Sequence, residues 1–186
     1  MIGFALCGSF CTVQAALAEM QRLALRYPVQ GILSENLAGT DTRFGKAADV
    51  IAEVERITGR QVIRGIVEAE PLGPRTPLEA LVICPCTGNT LAKLANGITD
   101  TCVTMAAKAH LRSDRPLVIA LASNDALAAN LKNVATMLEK KHVYFLPMRQ
   151  DDHVGKPHSL VADFSKLDVT LEAALDGKQY QKLFIC

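Results

Sequence analysis

Leu81-Val82-Ile83-Cys84, then Pro85-Cys86-Thr87-Gly88-Asn89, then Thr90-Leu91-Ala92-Lys93-Leu94-Ala95 is the stretch on which the fold turns. The first four residues are apolar and include the β-branched types that suit a buried strand. The next five break that run with a proline and small polar residues. The last six resume with helical spacing. A buried strand that ends in a small polar turn and starts a helix is how α/β proteins bind anions and cofactors. The first N–H groups of the helix are unpaired there, and its dipole points out of the carboxyl edge of the sheet. Alone, the stretch fits a ligand-free strand, turn and helix equally well, so its flanks must decide.

Upstream, residues 2–7 predict a first strand that ends at Gly8-Ser9-Phe10-Cys11-Thr12. A helix follows, with Val13, Ala16, Leu17, Met20, Leu23 and Ala24 spaced by three and four. Gly8 permits a tight turn, and Ser9 and Thr12 offer hydroxyls as helix caps or as phosphate ligands. One glycine falls short of the G-x-G-x-x-G dinucleotide fingerprint, so NAD is not expected at this turn. Residues 27–33 read as a second strand, followed by a polar loop from Ser34 to Thr42. Asp41 or Thr42 then caps a helix through Phe44, Ala47, Val50, Ile51, Val54 and Ile57, stopped at Gly59. Residues 61–67 are a weaker strand, and the prolines of 68–77 mark a loop.

Downstream, the spacing predicts a helix over 101–111 and a strong strand over 117–121. Ala122-Ser123-Asn124-Asp125 ends that strand, and a helix carries Leu127, Leu131, Val134, Ala135 and Leu138. Residues 142–148 read as a last core strand, 150–158 as a charged loop, and 168–177 as an amphipathic helix. The tail, 178–186, is open to an interface. Strand and helix alternate without a repeat or a dividing linker. That predicts one α/β domain over 1–186, a doubly wound Rossmann-like parallel sheet with helices on both faces. Four strand ends carry small polar residues: Gly8-Ser9, Ser34, Thr87-Gly88-Asn89 and Ser123-Asn124. In such a fold all four share the carboxyl edge, where ligands bind.

Composition narrows the partners. The 186 residues carry a net charge of +1, which argues against nucleic acid or an acidic membrane surface. Aromatics are 5%, so the core must be built from Ala, Leu, Val and Ile, as in parallel sheets. No signal peptide is evident before the first strand, and several of the six cysteines sit in apolar strands. A cytosolic, reducing location with free thiols is expected. Cys84-Pro85-Cys86 has the wrong spacing for a zinc knuckle, and no second pair follows it, so no metal is expected. No apolar run is long enough to span a membrane.

Residues 85–90, Pro85-Cys86-Thr87-Gly88-Asn89-Thr90, resemble the P-A-S/T-A-N-T motif of the flavoprotein family that includes the homo-oligomeric cysteine decarboxylases. The continuation L-A-K-L-A-N-G-I-T-D at 91–100 resembles that family's A-K-x-A-x-G-x-x-D segment. G-S-F-C-T at 8–12, A-S-N-D-A-L-A-A-N-L-K-N at 122–133, F-L-P-M-R-Q-D-D at 145–152 and K-P-H-S-L-V-A at 156–162 extend the likeness over nearly the whole chain. These segments resemble a branch of the family whose members form one half of a two-subunit, nicotinamide-linked enzyme of spore-forming bacteria. Such a likeness implies a partner subunit and a small dicarboxylate substrate.

The resemblance implies a site for FMN, or for its phosphate alone. Gly8, Ser9, Phe10 and Ser34 would cradle the phosphate. Pro85, Cys86, Thr87, Asn89 and Thr90, with Ser123 and Asn124, would run along the nucleotide. It also implies a trimer-based homo-oligomer, since flavin sites in the family form between copies. A different partner protein would use NADP, because this chain lacks the fingerprint. Two departures stand out. The loop 70–77 has no His where the decarboxylases carry a catalytic one, and the clamping Pro and Met of P-x-M-N are replaced around Ala122-Ser123-Asn124. Decarboxylation of a cysteinyl peptide is therefore not expected.

The implied substrate is a small dicarboxylate, so cations should meet it. Arg149, Lys156 and Arg75 are the candidates, through the pairing that Arg makes with carboxylates. His153 or His158 is the candidate general acid or base near neutral pH. A solvated surface charge is the plain alternative for each. The rival to an enzyme is a non-catalytic scaffold that keeps a relic of the nucleotide crevice.

Overall fold

β1 (Ile2–Leu6) pairs in parallel with β2 (Val29–Leu33) on one side and with β3 (Ala80–Cys86) on the other. β3 pairs with β4 (Leu117–Ser123), and the amino half of β4 pairs with β5 (Val143–Phe145), again in parallel. This computed structural model describes residues 1–185. The parallel order 2-1-3-4-5 is that of a doubly wound sheet, and its order reverses between β1 and β3. β3 and β4 are buried at every position, which is why their sequences are apolar throughout and do not alternate.

The sheet is mixed rather than wholly parallel. β6 (Met148–Arg149) and β7 (Leu160–Ala162) form an antiparallel pair, and β7 pairs with the carboxyl half of β4 through Ala122 and Ser123. The run 142–148 is thus two strands that break at Leu146-Pro147. Proline has no N–H for a ladder, and the Pro147 carbonyl instead accepts from the Asp163 N–H at 2.8 Å. The loop between β6 and β7 consequently stands over the carboxyl end of β4.

Two other expectations change. Within 61–67, Ile63 makes a single bridge to Ile32, and the chain turns into the one-turn helix α4 (Ile66–Ala69). The Glu68 carboxylate causes that turn by accepting the N–H groups of Arg64 and Gly65 at 3.0 and 3.2 Å. The helix expected from Thr42 begins later, as α3 (Ala47–Thr58). Asp41 does reach it, accepting the Ala47 N–H at 2.9 Å, and Gly59 ends it at φ 64°.

α1 (Val13–Ala24), α3 and α8 (Leu167–Leu175) pack on one face. α5 (Gly88–Ala95), α6 (Cys102–Leu111) and α7 (Leu131–Leu138) pack on the other. Among the described residues, no helix is long and apolar enough to cross a membrane. The tail is stitched to its own sheet. The Gln179 side chain accepts from the Phe145 N–H at 2.9 Å and donates to its carbonyl at 2.7 Å. Met148 then exchanges bonds with Leu183 and Ile185. Cys186, part of the tail expected to face an interface, lies outside the described residues.

Gly31 on β2 is where α3 approaches closest, and a Cβ there would lie 2.3 Å from Val54 Cγ1. Gly31→Ala is expected to destabilise the fold by roughly 1–3 kcal/mol, as overpacking does. A lower urea midpoint at unchanged slope would show it.

Candidate functional site

A crevice of about 870 Å³ opens along the carboxyl edge, where the turns after β1, β3 and β4 meet the β6–β7 loop. Each turn contributes differently, because each uses its hydroxyls differently.

After β1, the chain makes a 3₁₀ turn, Phe10–Thr12, that runs straight into α1. Neither Ser9 nor Thr12 caps a helix with its side chain. Thr12 Oγ1 donates to the Ser9 carbonyl at 2.9 Å and to Ser9 Oγ at 3.0 Å. Thr12 has one hydroxyl hydrogen for these two acceptors, so the two hydroxyls brace the turn itself and Ser9 Oγ is left uncommitted to a helix cap. Gly8, Ser9, Cys11 and Thr12 all line the crevice. Capping, the plain explanation for this pair of hydroxyls, does not account for them.

After β3 the outcome is the reverse. Thr87 Oγ1 caps α5, accepting from the Thr90 N–H at 3.2 Å, and donates to Thr90 Oγ1 at 3.1 Å. Thr90 Oγ1 donates onward to Cys7 Sγ at 3.4 Å. Cys7 is fully buried, and burial pushes its thiol up to about 11, so it stays protonated. Both threonine hydroxyls are thus engaged internally, and Thr90 is buried beneath the crevice floor. Thr87, Gly88, Asn89 and Ala92 form that floor. The turn offers a ligand the first backbone N–H groups of α5 and the exposed Asn89 amide. Pro85 and Cys86 are buried strand residues, and burial holds the Cys84 and Cys86 thiols well above their ordinary range.

After β4, Asp125 is the organising residue. Its Oδ1 accepts from Ser123 Oγ at 2.6 Å and from Asn130 Nδ2 at 2.9 Å, and Oδ2 accepts from the same amide at 2.9 Å. These bonds, Ser123 first, hold the Asp125 carboxyl below the usual carboxylate range. Its backbone carbonyl also takes the N–H groups of Ala128 and Asn130. This explains why the predicted helix begins only at Leu131. Ser123, Asn124, Asp125 and Asn130 all line the crevice.

The β6–β7 loop supplies Asp151, Lys156, Ser159 and Val161. Lys156 Nζ pairs with Asp151 at 2.7 Å. Asp152 forms the turn, accepting the N–H groups of Val154 and Gly155 at 3.1 and 2.9 Å. The alternation of charges in this loop thus has a local structural use.

The structure therefore brings Gly8, Ser9, Thr87, Asn89, Ser123, Asn124 and Lys156 into one crevice. It places the other candidates elsewhere. Ser34 lies at the end of β2 and caps α2 (Glu35–Gly39) through the Leu37 N–H. The Phe10 ring packs against the core beside the turn. Arg149, His153 and His158 are exposed on the β6–β7 hairpin, outside the lining. Arg75 is at the opposite edge of the sheet. Its loop precedes the start of β3, where Arg115 Nη1 donates to the Leu78 carbonyl at 2.7 Å, and Gly73 packs on the end of α6. The loop without a histidine is thus remote from this crevice, and among the described residues no histidine lines the crevice itself. Sequence reasoning missed the Asp125–Asn130 pair. An aspartate in the turn with an asparagine five positions on was the available signal.

The family model described as Flavoprotein matches residues 5–166. The chain belongs to the flavoprotein family. It is 42% identical over 185 residues to the B subunit of dipicolinate synthase from Bacillus subtilis (strain 168), covering 99% of this chain and 92% of that one. The crystal structure of the B subunit of dipicolinate synthase from Bacillus halodurans C superposes with a TM-score of 0.91 at 42% identity, over 100% of this chain and 95% of that one. The FMN-dependent cysteine decarboxylase SpaF shares the flavoprotein fold, with a TM-score of 0.67 at 23% identity over 93% and 95% of the two chains. The crevice of this flavoprotein suits a flavin mononucleotide in volume, since small-molecule sites run from ~300 to ~1,000 Å³. Its donors, the Ser9 hydroxyl and the first N–H groups of α5, suit a phosphate without an arginine.

Proposed function

We propose that this chain is the B subunit of a dipicolinate synthase, acting with an A subunit that uses NADP to oxidise dihydrodipicolinate to dipicolinate. Its setting would be the mother-cell cytoplasm of a spore-forming bacterium. The likeness to the Bacillus subtilis B subunit over nearly the full length of both chains carries this reading. The reaction removes a hydride and a proton to leave an aromatic ring, and the hydride passes to NADP on the A subunit.

The charge of the crevice supports dependence on that partner. Its described lining holds Asp125 and Asp151 against Lys156 alone, and Lys156 is already paired. A dicarboxylate needs more cationic groups than this chain brings to it. Lys156 is the residue placed to meet one carboxylate. Arg149, His153 and His158 lie outside the crevice on the same hairpin and reach the substrate only if assembly folds that hairpin inward.

Where FMN is held, Gly8, Ser9 and the turn after β1 would take its phosphate, and Asn89, Ser123 and Asn124 would border the ring. Bound FMN would supply a two-electron acceptor. Thr87 and Thr90 would act beneath it as the braced floor, not as ligands. A trimer-based homo-oligomer would complete such a crevice from a neighbouring copy.

The purified chain, given dihydrodipicolinate and NADP, is expected to show no change in nicotinamide absorbance, and addition of the A subunit should restore turnover. Appreciable turnover by the chain alone would sink the proposal. An FMN titration followed in the visible region separates the flavin-using enzyme from the scaffold reading, which predicts an unperturbed flavin spectrum.

A further inference from the structure

The three charged residues of the crevice differ in how they are held. Asp151 and Lys156 stand on an exposed loop and pair with each other at 2.7 Å. Asp125 is built into the wall. The Ser123 hydroxyl and the Asn130 amide that donate to it belong to residues each less than a tenth exposed. Asn130 is fixed in turn, its Oδ1 accepting from the buried Asn133 Nδ2 at 2.8 Å. Gly88, the first residue of α5, closes the trio from the other side, with no space for a Cβ. A carboxylate has about four lone-pair positions. Ser123 and Asn130 occupy three, and one on Oδ2 remains for a ligand.

The opposite wall has the opposite character. There the Ser9 hydroxyl is not committed to a helix cap. Lys156, rooted on the β6–β7 loop and paired with Asp151, comes within electrostatic reach of Cys11 in the same turn. β1, β3 and β4 are consecutive neighbours, so the two walls stand two strand spacings apart, roughly 10 Å. The crevice is polar along its length, with donors at the β1 end and an acceptor at the β4 end.

We propose that Asp125 sets ligand orientation and specificity: it accepts a hydrogen bond from a ring N–H or O–H and turns the ligand's anionic group toward Ser9 and Lys156. The ligand class is a flat nitrogen heterocycle with a donor on one edge and a phosphate or carboxylate about 10 Å away. A diacid, as in the proposed reaction, can give Lys156 one carboxylate but meets like charge where the other nears Asp125. This chain alone therefore binds it weakly, and the partner subunit must supply the further cations. This inference deepens the function proposed above and rests on it.

Asp125→Asn tests the inference because it reverses the wall. Ser123 and Asn130 both donate to Oδ1, so they hold the new amide oxygen there. The NH₂ takes the Oδ2 position, where it loses the second Asn130 bond and presents donors to the crevice. FMN, followed by flavin absorbance, is expected to bind the variant roughly tenfold more weakly, the scale of one charge-assisted bond. Dipicolinate, followed by calorimetry in 0.1 M salt, should bind it about fivefold more tightly once the repulsion is removed. Asp125→Glu, which keeps the charge, should leave dipicolinate weak. If Asp125→Asn fails to fold, Asp125→Ser takes the same two titrations with the same expected directions. Affinities within twofold of wild type for both ligands, or dipicolinate weakened along with FMN, would overturn the assignment while the functional proposal stands. A wild-type protein that takes up neither ligand would overturn both.

Discussion

Gly88→Ala is expected to weaken FMN and dipicolinate binding by tenfold or more and to lower stability by roughly 1–3 kcal/mol. The added methyl would lie 2.5 Å from Ser123 Oγ, 2.7 Å from Asn130 Nδ2 and 2.9 Å from Asp125 Oδ1. A flexible side chain could swing away from such a contact at little cost. These three cannot, because each is held by the others and Asn130 is held by Asn133. Either α5 moves off the sheet edge or the trio breaks. The first displaces the N–H groups that floor the crevice, and the second leaves buried polar groups without partners. Titration of both ligands beside a urea melt would measure the two effects, and binding within twofold of wild type would contradict the arrangement.

The same trio gives stability a pH dependence. Asp125 is held below its ordinary range, so its contribution is fully present above the unfolded carboxylate value, about 3.9. It is lost as pH falls through the lower folded value. Asp125→Asn should remove this increment, so that wild type and variant converge in stability only in acid.

How much was legible in the sequence depended on whether a feature was local. The stretch 81–100 displayed its strand, turn and helix because burial on both faces demands an unbroken apolar run. Their order is the expected one, but the five-residue turn expected over 85–89 is not there: β3 continues through Pro85 and Cys86, α5 starts at Gly88, and Thr87 alone joins them as the helix cap. The direction of β6 and β7 was not legible, since a parallel and an antiparallel neighbour demand the same apolar residues. The site was half legible for a similar reason. Small polar residues at four strand ends marked a shared edge, but composition does not say whether a hydroxyl caps a helix or faces a ligand. Ser34 and Thr87 cap, and Ser9 does not, although all three follow buried strands. Charge was the least legible. Arg75 and the Arg149–His158 segment looked alike in sequence, yet one lies at the amino edge and the other over the carboxyl edge.

Gly73→Ala is expected to cost on the order of 3–5 kcal/mol of stability, more than Gly31→Ala or Gly88→Ala, while leaving ligand affinity unchanged in the molecules that fold. Two penalties combine at this position. Gly73 has φ 128°, a backbone conformation that residues with a Cβ rarely adopt. A Cβ there would also lie 2.2 Å from the Ala109 carbonyl oxygen and 2.8 Å from its carbon, in the last turns of α6. Backbone cannot rotate aside as a side chain can, so relief requires the whole 70–77 loop to lift. That loop leads into β3 at its buried end, where Leu78 and Ala80 are fully enclosed. A large fall in the urea midpoint should therefore accompany Gly73→Ala. Titration of FMN or dipicolinate at low temperature, with the folded fraction measured by circular dichroism, would give the affinity per folded molecule. An affinity matching wild type places the loop as a brace at the edge opposite the crevice. A folded variant with lost affinity would mean instead that this loop reaches a ligand, through this chain or a neighbouring copy, and would return Arg75 to the site.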